Sequence, residues 1–204
     1  AIATAVLSPP APAPRAGWAG GRRRGGVVGK RCRGPAPPRA TGGRLGGVTE
    51  RQTYLLVDGE NIDATLGTSI LQRRPHPEER PRWNRVLDDI EDRWGQPVRA
   101  LFFLAIDGEV PLAFVQALLA MGYQPVMLRG AGKVVDLGIQ RTAEALTERD
   151  GDVVLASHDV DFLPQMTALA EDPDRRVAIM GFNEFMSGGL REVPGIEVWD
   201  MEYD

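Results

Sequence analysis

Tyr54-Leu55-Leu56-Val57-Asp58-Gly59-Glu60-Asn61 decides the reading of this chain. Four consecutive apolar residues without alternation describe a strand buried on both faces, as in a parallel sheet covered by helices. The run stops at an acid and a glycine, where a strand hands over to a loop. Downstream the pattern recurs: Val98–Ile106, Gln124–Leu128, Val153–Ala156, Val177–Met180 and Ile196–Trp199 read as further strands. Between them lie helical stretches. Trp83–Trp94 carries Val86, Leu87, Ile90 and Trp94 on one side, and Val110–Met121 carries Leu112, Val115, Leu118 and Leu119, with Gly122 placed as its C-cap. Val135, Ile139, Thr142, Ala143 and Leu146 mark a third helix face, and Phe162–Ala170 a fourth helix, whereas Asn61–Pro81 reads as a polar connection broken by prolines. Strand and helix in alternation predict an α/β fold, a three-layer α/β/α sandwich with a mostly parallel sheet, PIN-like or Rossmann-like in outline.

Upstream of this domain the composition changes. Residues 1–50 hold nine Lys/Arg and one acid, Glu50, which leaves 15 basic and 27 acidic residues for 51–204. The net charge of −4 thus averages a basic segment and a domain near −12. Rich in Pro, Gly, Ala and Arg, residues 1–50 cannot bury enough apolar surface to offset the entropy of ordering, so a disordered basic tail is expected, with the folded domain at 51–204. Ala1–Leu7 is too short and uncharged for a secretory signal and is stopped by Ser8-Pro9-Pro10. No run approaches the roughly 20 apolar residues of a membrane span. Cys32 is the sole cysteine, which excludes an internal disulfide and accords with an expected cytoplasmic location.

The acids carry the functional reading. Asp58 follows the first strand, Asp136 opens the helix after the third, and Asp159 and Asp161 follow the fourth in Ser157-His158-Asp159-Val160-Asp161-Phe162. Ligands of open α/β sheets bind beyond the carboxyl ends of the strands, so all four acids belong to the edge where chemistry is expected. Alone, each serves equally well as a helix cap or a partner of the helix dipole. Together they would repel one another unless a cation neutralised them. Oxygen ligands and an affinity for phosphate suit Mg²⁺ or Mn²⁺, and hydrolysis of a phosphodiester uses such an ion to supply hydroxide and to stabilise the leaving oxygen.

Three segments resemble the NYN-domain (LabA-like) proteins of the PIN-like nuclease superfamily, over roughly Tyr54 to Trp199. Leu55-Leu56-Val57-Asp58-Gly59-Glu60-Asn61 is similar to that family's D-x-x-N element, Lys133-Val134-Val135-Asp136 to its K-x-x-D, and Ser157–Phe162 to its S-x-D-x-D-F. The resemblance implies a metal-dependent ribonuclease in which Asp58, Asp136, Asp159 and Asp161 hold Mg²⁺ or Mn²⁺. Asn61 would orient substrate or a ligating carboxylate, Lys133 would contact phosphate, and Ser157 would shape the turn. The chain departs from the family at His158, where Gly is frequent; a solvated turn histidine is expected there, with a proton carrier as the other reading. Arg129 and Arg141 flank Asp136, and Arg73, Arg74, Arg80, Arg82 and Arg85 follow the first strand, giving local positive fields for RNA. His76 is expected at the surface, Trp83 and Trp94 in the core, and Phe162 beneath the site. RNA is the expected partner, a homodimer a further expectation, and no membrane association is expected. Two competing readings stand beside this one: a nuclease fold that binds RNA or protein without cutting, and a haloacid-dehalogenase-type phosphatase with Asp58 as nucleophile.

Overall fold

The computed structural model describes residues 51–201, so the disorder expected for residues 1–50 lies outside the described residues. Six strands, β1 (Thr53–Asp58), β2 (Val98–Ala105), β3 (Gln124–Leu128), β4 (Asp152–Ala156), β5 (Val177–Gly181) and β6 (Ile196–Asp200), form one sheet in the order β3-β2-β1-β4-β5-β6. Every neighbouring pair is parallel. The helices are α1 (Gly59–Ala64), α2 (Trp83–Trp94), α3 (Leu112–Ala120), α4 (Val134–Leu146), α5 (Leu163–Ala170) and the short α6 (Gly188–Arg191). Among the described residues no helix is long and apolar enough to cross a membrane.

Alternation along the strands builds two cores. Leu55 and Val57 of β1 and Phe102 of β2 face a cluster with Ile62, Trp83, Ile90, Trp94 and Leu118 from α1, α2 and α3. Tyr54, Leu56, Leu101 and Phe103 face the opposite cluster, with Val135, Ile139, Ala143 and Leu146 of α4 and Met166 and Leu169 of α5. Helices on both faces of a buried parallel sheet make the three-layer sandwich. Trp83, Trp94 and Phe162 are buried as expected, and His76 is exposed.

Three local expectations are corrected. Asn61–Pro81 is not a plain connection: it opens with α1 and continues as a π-helical segment, Thr65–Leu71, before the prolines take over. Ile62 and Leu66, one turn apart, are both buried, and that apolar pair holds the segment helical. Leu112 and Leu119 of α3 are exposed, because Phe114, Val115, Leu118 and Met121 supply its inner side instead. The helix expected from Phe162 begins at Leu163, after a 3₁₀ turn over Val160–Phe162. Pro164 then occupies the first turn, where a missing N–H costs nothing.

Strand order sets the position of the site. Connections run outward from β1 to β2 and β3 on one side and from β4 to β5 and β6 on the other, so the direction of winding reverses between β1 and β4. At such a switch point the loops beyond the strand ends diverge and leave a crevice. Val57 pairs with Ala156 there, so the next residues of the two strands, Asp58 and Ser157, meet side by side.

Candidate metal centre at the switch point

Asp58 ends β1 with its side chain on the α4/α5 face, by alternation from Tyr54 and Leu56. It is 3% exposed. Its Oδ1 accepts from the Asn61 backbone N–H at 3.1 Å, capping α1, and its Oδ2 accepts from the Ser157 hydroxyl at 3.2 Å. Burial pushes the Asp58 carboxyl up to about 6, against the pull of those two hydrogen bonds, and the charges of Asp136 and Glu60 push the same way. Gly59, directly after it, has no room for a side chain: a Cβ there would run into the Phe102 ring. That close approach lets α1 start against the sheet.

Ser157 links the two strands. Fully buried, it donates to Asp58 and accepts from the Asp159 N–H at 3.2 Å. Asp159 in turn caps the 3₁₀ turn, its Oδ1 accepting from the Asp161 N–H at 2.9 Å. Asp136 projects from the first turn of α4. Asp136, Asp159 and Asp161 each bring a carboxylate oxygen to within 4.8 Å of the other two, so the acid that opens α4 and the two that follow β4 share one small volume. Asp58 stands behind them, joined to Asp159 through the Ser157 hydroxyl.

Lys133, immediately before α4, forms a close ion pair with Asp161 and lies 3.5 Å from Asp136. Those carboxylates raise its pKa, the hydrogen bond to Asp161 foremost. The ammonium is thus the cluster's own counter-charge. Gln140 donates to the Asp161 carbonyl at 3.1 Å and braces the turn against α4. Arg129 and Arg141 are exposed and form no ion pair among the described residues, so the structure brings neither into the cluster.

His158 is the clearest departure from expectation. It is not a solvated turn residue: it is 7% exposed and stacks on Phe182 with ring centroids 5.5 Å apart. Its Nε2 accepts from the Phe182 N–H at 2.7 Å, which leaves the proton on Nδ1, 2.9 Å from Asn61 Oδ1. The His158 N–H also donates to Asn61 Oδ1 at 2.9 Å, and Thr65 Oγ1 lies 3.2 Å from Nδ1. Burial pushes the imidazole down to about 4, so it is neutral near pH 7 and unsuited to carrying protons there. Gly181 is needed beside it, since a Cβ would sit 2.7 Å from Nε2. Asn61 therefore uses its carbonyl to fasten the β4 turn to α1, and only its amide nitrogen remains for a ligand.

Sequence reasoning passed over Asp152, a fully buried acid at the start of β4. Although burial opposes ionisation, hydrogen bonds from Arg51 and Arg176 hold its carboxyl below the usual range. Arg51 approaches to 2.6 Å and Arg176 to 2.8 Å, and Gln96 donates at 2.9 Å. An acid at the first position of a strand, at the end of the sheet opposite the carboxylate cluster, is structural.

No family model matches the chain, and no curated protein matches it. Among solved structures it is similar to a protein of unknown function from Vibrio parahaemolyticus, with 18% sequence identity and a TM-score of 0.61 over 75% of this chain and 94% of the other. At that identity the likeness concerns the fold alone.

Proposed function

We propose that the domain is a metal-dependent ribonuclease, similar to the NYN proteins, that hydrolyses RNA phosphodiester bonds at the crevice between β1 and β4. One observation carries this reading: three carboxylates meet within 4.8 Å at the switch point of a doubly wound sheet. The donor set consists of oxygens, with no Cys or His offered, which fits Mg²⁺ or Mn²⁺ and not a zinc site. Asp136, Asp159 and Asp161 would hold the ion, with Asp58 behind them. When bound, the ion would supply Lewis-acid polarisation of a phosphate and acidification of water.

The chain's own groups do the rest. Ser157 keeps Asp58 and Asp159 in fixed relation, and Asp58, with its raised pKa, is able to exchange a proton near neutral pH. Lys133 is free to swing from Asp161 to a phosphate oxygen once a divalent ion replaces it as counter-charge. The His158–Asn61 pair holds the turn that carries Asp159.

A second reading draws on Lys133 itself: an ammonium already neutralising the cluster suits a domain that binds RNA or protein without cutting. The phosphatase reading is weaker, because both oxygens of Asp58 are engaged and the group is buried, a poor state for a nucleophile.

Labelled single-stranded RNA incubated with Mg²⁺ or Mn²⁺ tests the proposal, using parent and Asp159→Asn with and without chelator. Asn keeps the oxygen that caps the 3₁₀ turn, so the variant remains folded. Cleavage abolished by chelator and by the substitution supports the nuclease; cleavage indifferent to both overturns the metal mechanism; binding without cleavage selects the silent module.

A further inference from the structure

The orientation of the Asn61 carboxamide is set by a backbone group far from it in sequence. Directly after β5, the Phe182 N–H donates to His158 Nε2 at 2.7 Å, and a backbone N–H can only donate. The ring therefore carries its proton on Nδ1, 2.9 Å from Asn61 Oδ1, with Thr65 Oγ1 the more distant acceptor at 3.2 Å. The His158 backbone N–H reaches the same Asn61 oxygen at 2.9 Å. Two donors thus occupy both lone pairs of that carbonyl, and inverting the carboxamide would set its NH₂ group against them. The ring is itself held in place, since Phe182 stacks on it and Gly181 leaves the room it fills. Asn61 Nδ2, by contrast, donates to nothing among the described residues and is open to solvent.

We infer that His158 is a positioning residue: it locks the Asn61 carboxamide as a hydrogen-bond donor to a nonbridging phosphate oxygen of the bound strand and withholds the Asn61 carbonyl from the metal. The inference rests on the nuclease reading. Asn61 stands at the crevice on two counts, because its N–H caps Asp58 at 3.1 Å and its side chain is tied to the residue between Ser157 and Asp159. The surrounding carboxylates repel a polyanion, whereas a neutral donor attracts an oxygen without competing with the cation. A ligating carboxylate is the other acceptor open to such a donor. Yet Asp58, Asp136, Asp159 and Asp161 all lie on this edge of the sheet and none accepts from Asn61 Nδ2, which leaves the substrate as its acceptor. A donor already held in its binding orientation also loses less freedom when the strand arrives.

Variants of the full chain separate this role from packing. In His158→Gln the amide oxygen replaces Nε2 as acceptor for Phe182, but no donor stands at Nδ1; His158→Asn restores that donor. Asn61→Asp keeps an acceptor for both His158 donors and loses the NH₂ group. Each is measured by anisotropy of labelled RNA, by KM and kcat for cleavage with Mn²⁺, and by Mn²⁺ affinity. His158→Gln should weaken RNA binding about threefold or more, through the fraction of time the amide is misdirected, with KM moving more than kcat and Mn²⁺ affinity unchanged. His158→Asn should stay near the parent, and Asn61→Asp should lose about tenfold or more. Adding His158→Gln to Asn61→Asp should weaken RNA binding no further, because a carboxylate has no orientation to hold. Parent-like RNA binding by His158→Gln, a further loss in the double variant, or a fall in Mn²⁺ affinity in His158→Gln overturns the inference. Should His158→Gln fail to fold, parent-like RNA binding by Asn61→Asp overturns it instead. A parent that binds RNA with this pattern of losses but cuts it with no divalent ion keeps the positioning role and removes the nuclease reading alone.

Discussion

The hydroxyl of Ser157 donates to Asp58 Oδ2 at 3.2 Å, joining the ends of two parallel strands that neighbour each other only because the sheet reverses its winding there. The same oxygen receives the Asp159 N–H. One buried serine thus couples the acid of β1 to the acids that follow β4. Ser157→Ala should lower stability by about 1–2 kcal/mol, since a buried carboxylate and a backbone donor each lose a partner. It should also raise the Asp58 pKa further, moving the acidic limb of any pH–rate profile to higher pH. Chemical denaturation together with a pH–rate profile reads both effects, and an unchanged profile would contradict the coupling.

Asp58 and His158 act in opposite directions on acidification. His158 titrates near 4 in the fold and near 6.5 when unfolded, so between those values the unfolded chain takes up a proton the fold refuses, and stability is lost as pH falls. Asp58 titrates near 6 in the fold and near 3.8 unfolded, so across that range the fold holds a proton more readily, and stability is gained as pH falls. In chelator the two trends overlap and largely offset each other. Asp58→Asn removes the gain, and its melting temperature should therefore drop more steeply than the parent's from pH 6.5 to 4. Parallel curves would contradict the raised pKa of Asp58.

Asp152 provides a structural contrast at the opposite end of the sheet. Removing it strands Arg51, Arg176 and Gln96, which all converge on its carboxylate. Asp152→Ala should cost about 3 kcal/mol yet leave divalent-ion affinity unaltered once the protein is folded. A change in ion affinity measured below the melting temperature would show that the two ends of β4 are coupled.

Lys133 discriminates between a counter-ion and a phosphate ligand. As counter-charge to Asp136 and Asp161 it competes with a divalent ion, so Lys133→Met should tighten ion binding several-fold while weakening RNA binding. Titration calorimetry with Mn²⁺ measures the first effect and RNA anisotropy the second. Weaker ion binding in the variant would mean that Lys133 organises the carboxylates instead of opposing the ion.

Much of this architecture is written in runs such as Leu55-Leu56-Val57 and Val153-Val154-Leu155, where apolar continuity requires burial on both faces and hence parallel pairing between helical layers. The placement of the acids follows from the same logic, since a residue directly after a strand must lie at its carboxyl end. The environment of His158 was not legible. Its burial depends on Phe182 at the end of β5 and on Gly181 leaving space, neither of which is near it in sequence. Likewise Leu112 and Leu119 match a helical stripe by spacing, but an almost wholly apolar helix has no polar side to say which stripe turns inward. Lys133 reads as a phosphate ligand until Asp161, 28 residues on, is seen to be folded against it.

Whether Asp136, Asp159 and Asp161 hold one divalent ion together is tested most directly by electron paramagnetic resonance of Mn²⁺ titrated into the parent and into each single Asp→Asn variant. The account predicts saturable binding, displaced by Mg²⁺, that weakens in all three variants and persists in Asp152→Asn. Binding that is absent from the parent, or indifferent to Asp136→Asn, Asp159→Asn and Asp161→Asn alike, would contradict it.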